Sequence, residues 1–217
     1  MTLDLVLIPG LLCDATLWAH QTEHLADIAS CIVADITGAE SVDELVDMVL
    51  ATAPDRFALA GLSMGGYVAH AIMRRAPDTP DQLVRRGQLI DMSKYGKFRG
   101  VTDRLLPILV HEARLPKTKL INKIKKMAEH IGSEAFTPQE HAIMGRPDSR
   151  PKLGQYAVQT LVMCGRQDAL TPVEHSAEMG GAFPGARSAV IEDCGHLSKM
   201  ERPQAATALM RQWLTYD

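Results

Sequence analysis

Most of the features that declare a function through composition are missing from this chain of 217 residues. No apolar run approaches the ~20 residues that a membrane-spanning helix needs, so no membrane partner is expected. The first ten residues carry no basic cluster, Asp4 interrupts their apolar run and Pro9 ends it, which reads as a strand rather than a signal peptide. A net charge of −3 gives no footing for nucleic acid. The four cysteines, Cys13, Cys31, Cys164 and Cys194, are scattered without paired metal spacing and read as reduced thiols of a cytoplasmic protein. There is no internal repeat and no low-complexity tract. What remains is 46% hydrophobic and 23% charged residues, the composition of an ordinary soluble chain with one substantial core.

Within it one stretch stands out. The apolar run 57–62 reads as a short strand buried on both faces, and a helical stripe of Tyr67, Val68, Ala71 and Ile72 follows from Met64. Ser63 lies at the junction, inside Gly61-Leu62-Ser63-Met64-Gly65. That pattern alone arises by chance in roughly 5–10% of chains this long, so its context carries the reading. A serine on a sharp strand-to-helix turn needs neighbours without bulk, which Gly61 and Gly65 supply. The turn lifts the hydroxyl above the sheet edge and sets helix N-terminal N–H groups beside it.

The rest of the chain alternates in the same way. Strands are predicted at 3–8, 31–36, 160–164 and 188–192, and helices at 16–28, 42–50, 173–183 and 204–214. Ser41-Val42-Asp43-Glu44 has the form of a capping box opening the second of these helices. Such alternation implies an α/β architecture, a mostly parallel sheet covered by helices on both faces. Between 94 and 153 the pattern is helical and more polar, with helices expected at 101–111, 117–131 and 133–144. Segments 1–93 and 154–217 are therefore read as one core, and 94–153 as a helical lid inserted over the sheet's carboxyl edge.

A serine hydroxyl needs a base to take its proton, and that base needs a third group to hold its tautomer. Asp168 follows the strand at 160–164, and His196 follows the strand at 188–192, so both are expected in loops at the edge that carries Ser63. The order Ser63, Asp168, His196 is the order of one known hydrolase arrangement. The backbone N–H groups of Leu11, beside Gly10, and of Met64 are candidate donors to an oxyanion. Together these residues point to acyl transfer to water.

At Gly61-Leu62-Ser63-Met64-Gly65-Gly66, at Gly165 to Asp168 with Pro172, and at Gly195-His196 with Glu201 and Pro203, the chain resembles the α/β-hydrolase superfamily. It is most similar to small lid-bearing esterases of the pimeloyl-carrier-protein methyl ester carboxylesterase type. The resemblance runs from Leu3 to Leu214. It implies Ser63 as nucleophile, Asp168 as acid, His196 as base, and Leu11 and Met64 as oxyanion donors, with no cofactor and no metal. Pro9 stands where the family usually has a histidine. The segment 77–86 is polar where the family has a full apolar strand, leaving only 88–92 as a shortened strand or part of a helix. Asp91 and Asp193 are rival partners for His196, and Asp168 is favoured over both.

Other residues have plainer readings. His20 and His24, four apart, lack a third ligand and read as a solvated face; His70 reads as packing; Cys194 reads as a buried inert thiol. Lys117, Lys119, Lys123, Lys125 and Lys126 crowd one helix whose buried stripe is expected to be Leu120, Ile124, Met127 and Ile131. A solvated basic face is the default, and a docking patch for an acidic carrier protein or an anionic substrate is the sharper reading. The leading expectation is a serine hydrolase acting on a small-molecule carboxylic ester. The alternatives are a receptor-like binding module, a catalytically weak relative, or an acyltransferase.

Overall fold

The computed structural model describes residues 2–75, 103 and 105–215. Strand β1 (Leu3–Ile8) lies between β2 (Ala29–Val33) and β3 (Ala58–Gly61), all parallel. Strands β4 (Leu161–Gly165) and β5 (Arg187–Ile191) form a second parallel pair. The expected strand at 88–92 lies outside the described residues.

Both faces of the first sheet are buried, which explains its unbroken apolar sequence. Val6, Ile8 and Leu59 point into one cluster, with Val42, Leu45, Val46 and Val49 of α2 (Val42–Thr52) and Val68 and Ile72 of α3 (Met64–Arg75). Leu5, Leu7, Ala58 and Ala60, one residue out of phase, point into the other. There they meet Trp18, Leu25 just after α1 (Ala19–His24), and Met210 and Trp213 of the C-terminal helix Pro203–Thr215. Each fully buried side chain of this kind contributes about 1.5–3 kcal/mol. The capping box of α2 forms as read: Ser41 accepts from Glu44 N, and Glu44 accepts from Ser41 N.

Several sequence expectations shift. The second strand ends at Val33 rather than reaching 36, because the chain turns as Asp35 accepts from Thr37 N and Thr37 Oγ1. The helix expected at 16–28 is a 3-10 turn, Ala15–Trp18, followed by the short α1. Of the helix expected at 101–111, the described part is α4 (Leu106–Leu109). Pro107 suits a first helical turn, and Val110 is already extended and buried. The next two expected helices appear as α5 (Thr118–Gly145), which kinks at Gly132, where φ is 71°. The buried stripe of its first half is Ile121, Ile124, Met127 and Ala128, while Leu120 and Ile131 are only half-buried. That half packs into the Trp18 cluster, whereas Ala142 and Ile143 of the second half pack into the α2–α3 cluster. So α5 passes from one face of the sheet to the other. The C-terminal part adds α6 (Val173–Ala182), a one-turn helix α7 (Ser198–Glu201) that the sequence reading missed, and α8 (Pro203–Thr215).

Candidate active site

The elbow is built by backbone. Ser63 has φ of 59°, a left-handed conformation that costs a non-glycine residue of order 1 kcal/mol or more. The turn is tight enough that a Cβ on Gly61 would stand 2.3 Å from Gly65 O, and one on Gly65 would stand 2.3 Å from Ile8 O. Both positions therefore require glycine. Gly65 N and Gly66 N bond back to Leu62 O and Ser63 O, while Met64 N–H opens the helix and has no acceptor one turn behind it. The loop after β1 reaches the same point: a Cβ on Gly10 would lie 3.3 Å from Ser63 Cβ. Leu11 follows directly, in the turn closed by Cys13 N donating to Gly10 O.

The other half is built by side chains. His196 Nδ1 lies 2.9 Å from Asp168 Oδ2, and both side chains are almost wholly buried. Thr171 Oγ1 donates to Asp168 Oδ2 at 2.7 Å, and the backbone N–H groups of Leu170 and Thr171 donate to Oδ1, each at 2.9 Å. Burial alone pushes the Asp168 carboxyl up, but the bond and charge of His196 and the donors from Thr171 outweigh it and hold it below the ordinary range. A buried carboxylate held ionised in this way favours the Nδ1–H tautomer, in which Nε2 is the acceptor.

The histidine loop has its own clamp. Glu201 is buried and accepts from Gly195 N at 3.0 Å and His111 N at 2.8 Å. Burial raises its pKa, opposed by those two backbone donors. Gln167 Oε1 accepts from Cys194 N, and Leu109 O accepts from His196 N and Leu197 N. A Cβ on Gly165 would lie 2.2 Å from Cys194 O, so this approach also needs glycine. Thr171 and the clamping role of Glu201 were not anticipated. Their signal was proximity alone, three residues after Asp168 and five after His196.

Ser63, Asp168 and His196 are all buried, with exposures of 4%, 7% and 4%. Asp168 and His196 are in direct contact; among the described residues Ser63 makes no hydrogen bond to His196. Such contacts often tighten only when substrate is present. Of the rivals, Asp193 turns outward to Arg202 at 2.9 Å, and Asp91 lies outside the described residues. An open cavity of about 490 Å³ lies between Cys13, Ile36, Thr37, His130 and Glu134, and neither Ser63 nor His196 lines it.

The plainer residues fall as follows. The His20 and His24 rings stack at 3.9 Å, and His20 Nδ1 pairs with Thr207 Oγ1. His70 packs on Phe183. Burial raises the Cys13 and Cys194 thiols to about 12, which leaves them unreactive. Among the described residues no group of three or more His, Cys, Asp or Glu side chains is placed to hold a metal. No helix among them is long and apolar enough to cross a membrane.

With that geometry in hand, the likeness to known proteins is informative. The profile of the alpha/beta hydrolase fold matches residues 146–203, the part that carries Asp168 and His196. An esterase from Thermogutta terrifontis superposes with a TM-score of 0.87 at 27% identity, covering 99% of this chain and 90% of that one. The chain has the α/β-hydrolase fold. The enol-lactonase of Burkholderia xenovorans LB400 shares it, with a TM-score of 0.86 at 22% identity over 100% of this chain and 92% of that one. In sequence, the chain is 24% identical to the pimeloyl-[acyl-carrier protein] methyl ester esterase of Aliivibrio salmonicida, over 89% of this chain and 85% of that protein. These relatives of the α/β-hydrolase fold are hydrolases and esterases.

Proposed function

We propose that the protein is a serine hydrolase that cleaves small carboxylic esters through an acyl-enzyme, with Ser63 as nucleophile, His196 as base and Asp168 as its orienting acid. The observation that carries this reading is the buried Asp168–His196 bond, formed in loops after β4 and β5, together with the strained Ser63 elbow after β3. Ser63 Oγ attacks the ester carbonyl while His196 Nε2 takes its proton. The oxyanion is held by the N–H groups of Leu11 and Met64. Collapse expels the alcohol, which takes the proton back from His196. A water, deprotonated by His196, then attacks the acyl-enzyme, and carboxylic acid and free Ser63 result. Each step balances on these residues without a cofactor. The helices within 94–153 are read as a lid, since α5 crosses from one face of the sheet to the other.

The test is a panel of nitrophenyl esters of increasing acyl length. Ser63→Ala is expected to fold and to lose at least about 10³-fold in kcat. Near-wild-type turnover in that variant overturns the assignment. Phosphonate labelling of Ser63 without ester turnover points instead to a binding module or an acyltransferase.

A carrier-bound substrate is favoured by a second observation. Lys119, Lys123 and Lys126 are exposed on the first half of α5 and Lys117 just before it, with Lys125 paired to Asp103 at 2.6 Å, and the relative from Aliivibrio salmonicida is named for a carrier-protein methyl ester. An acidic carrier would meet this face. Reversal of Lys123, Lys125 and Lys126 to Glu is expected to raise KM for a carrier-bound ester and to leave small esters unchanged. An equal effect on both, or on neither, returns these lysines to a solvated face.

A further inference from the structure

The turn that presents Leu11 is not self-sufficient. Cys13 N donates to Gly10 O at 3.1 Å, so Leu11 and Leu12 are the two central residues of a tight turn. Leu12 has φ of 57° at the second central position, where such turns normally place glycine or asparagine. A leucine stays there only if something outside the turn holds it.

That hold comes from 127 residues away. Gln139, in the second half of α5 and fully buried, accepts from Leu12 N through Oε1 at 3.2 Å. Its Nε2 donates to Ile36 O, also at 3.2 Å. One amide thus ties the loop after β1 to the chain just past β2, and only this orientation of the amide satisfies both backbone groups. The peptide that carries Leu11 N–H lies between Gly10, packed on Ser63, and Leu12, held by Gln139.

We infer that Gln139 is a positioning residue for the oxyanion site: through Leu12 it holds the turn that aims Leu11 N–H at the ester oxygen. The inference rests on the reading of Leu11 as a donor in ester hydrolysis. A donor adds most when it is fixed before the charge develops, and a misaim of about 1 Å costs on the order of 10²-fold. Loss of Gln139 therefore acts on the transition state more than on substrate binding.

Two variants test this. Q139M keeps the shape and removes both bonds. Its kcat per phosphonate-titrated active site is expected to fall about 10- to 100-fold, with KM within about threefold. Affinity for a trifluoromethyl ketone, which forms an oxyanion on Ser63, should fall with kcat, while affinity for the matching unactivated methyl ketone, which is not hydrolysed and stays trigonal, should not. Q139E can replace the amide only when protonated, donating to Ile36 O and accepting from Leu12 N; ionised, it faces Ile36 O with repulsion. Its kcat relative to wild type at the same pH should therefore rise as pH falls through its own titration. Full kcat per site in Q139M, equal weakening of both inhibitors, or a Q139E ratio flat with pH overturns the proposal. Failure of both variants to fold at every pH assigns Gln139 to the fold alone and overturns it equally. Ser63→Ala, run alongside, separates the two levels. If it keeps turnover, the hydrolase reading itself fails; if it is inactive while Q139M is unimpaired, only the positioning role fails.

Discussion

The two sheets contribute to the candidate site by different means. The β2-β1-β3 sheet offers backbone: a left-handed Ser63, glycines at 61 and 65 that admit no side chain, and N–H groups at Leu11 and Met64. The β4-β5 pair offers side chains: Asp168, Thr171 and His196 bonded in series, with Glu201 and Gln167 holding the loop that bears the histidine. A backbone site is fixed by what cannot be added, a side-chain site by what cannot be removed. Substitutions of the glycines in the first should damage folding and activity together, whereas substitutions of Asp168 or His196 in the second should separate them.

The sharpest separation is expected at Asp168. Asp168→Asn keeps the shape but stabilises the wrong histidine tautomer, and kcat should fall by up to about 10⁴-fold with folding retained. Steady-state kinetics beside circular dichroism check this; a loss of less than tenfold removes Asp168 from the mechanism. On the backbone side, Gly65→Ala would force a Cβ to 2.3 Å from Ile8 O. Destabilisation of several kcal/mol, read as lost soluble protein or a lowered urea midpoint, is expected, in line with other strained or overpacked sites. A well-folded, active Gly65→Ala protein erases the contrast between the sheets.

Smaller effects sharpen it. Glu201→Ala leaves the N–H groups of Gly195 and His111 without their carboxylate, at a cost of about 1–3 kcal/mol for each that stays unpaired. Thermal melts should show that loss, with a lesser drop in kcat as the His196 loop loosens. The carboxylates also differ in sign. Asp168 is depressed when folded, so its contribution is complete above the ordinary aspartate value of about 3.9 and fades as pH falls through the folded value. Glu201 is raised, so its contribution is greatest below the ordinary glutamate value of about 4.3 and declines as pH climbs through the folded value. Urea titrations of wild type and Asp168→Asn across acidic pH should converge as pH drops below about 4. The smallest effect expected is none: treatment with a chelator should leave ester turnover unchanged, and a loss reversed by a divalent ion contradicts the mechanism.

The same contrast explains what the sequence made legible. Backbone demands leave local marks, and Gly61, Gly65 and the apolar run before them marked the Ser63 turn clearly. Regular periodicity likewise gave α2, α3 and α8 within a residue or two. The side-chain network was legible only in its chemically distinctive members, Asp168 and His196. Thr171 and Gln139 are ordinary residues whose importance comes from contacts that the fold creates, the latter across 127 positions. The second strand was misjudged at its end because Asp35 turns the chain by accepting from Thr37 N. The helix expected at 101–111 was too long at its far end, where Val110 is already extended.

The claim that a nucleophile on one sheet is served by a base on the other is tested most directly by serine-directed labelling. A fluorophosphonate is reacted with wild type and with His196→Gln, and the modified residue is mapped by mass spectrometry. Stoichiometric modification of Ser63 in wild type is expected, slowed by roughly 10³-fold or more in His196→Gln. Modification at another serine, or an equal rate in the two proteins, would contradict it.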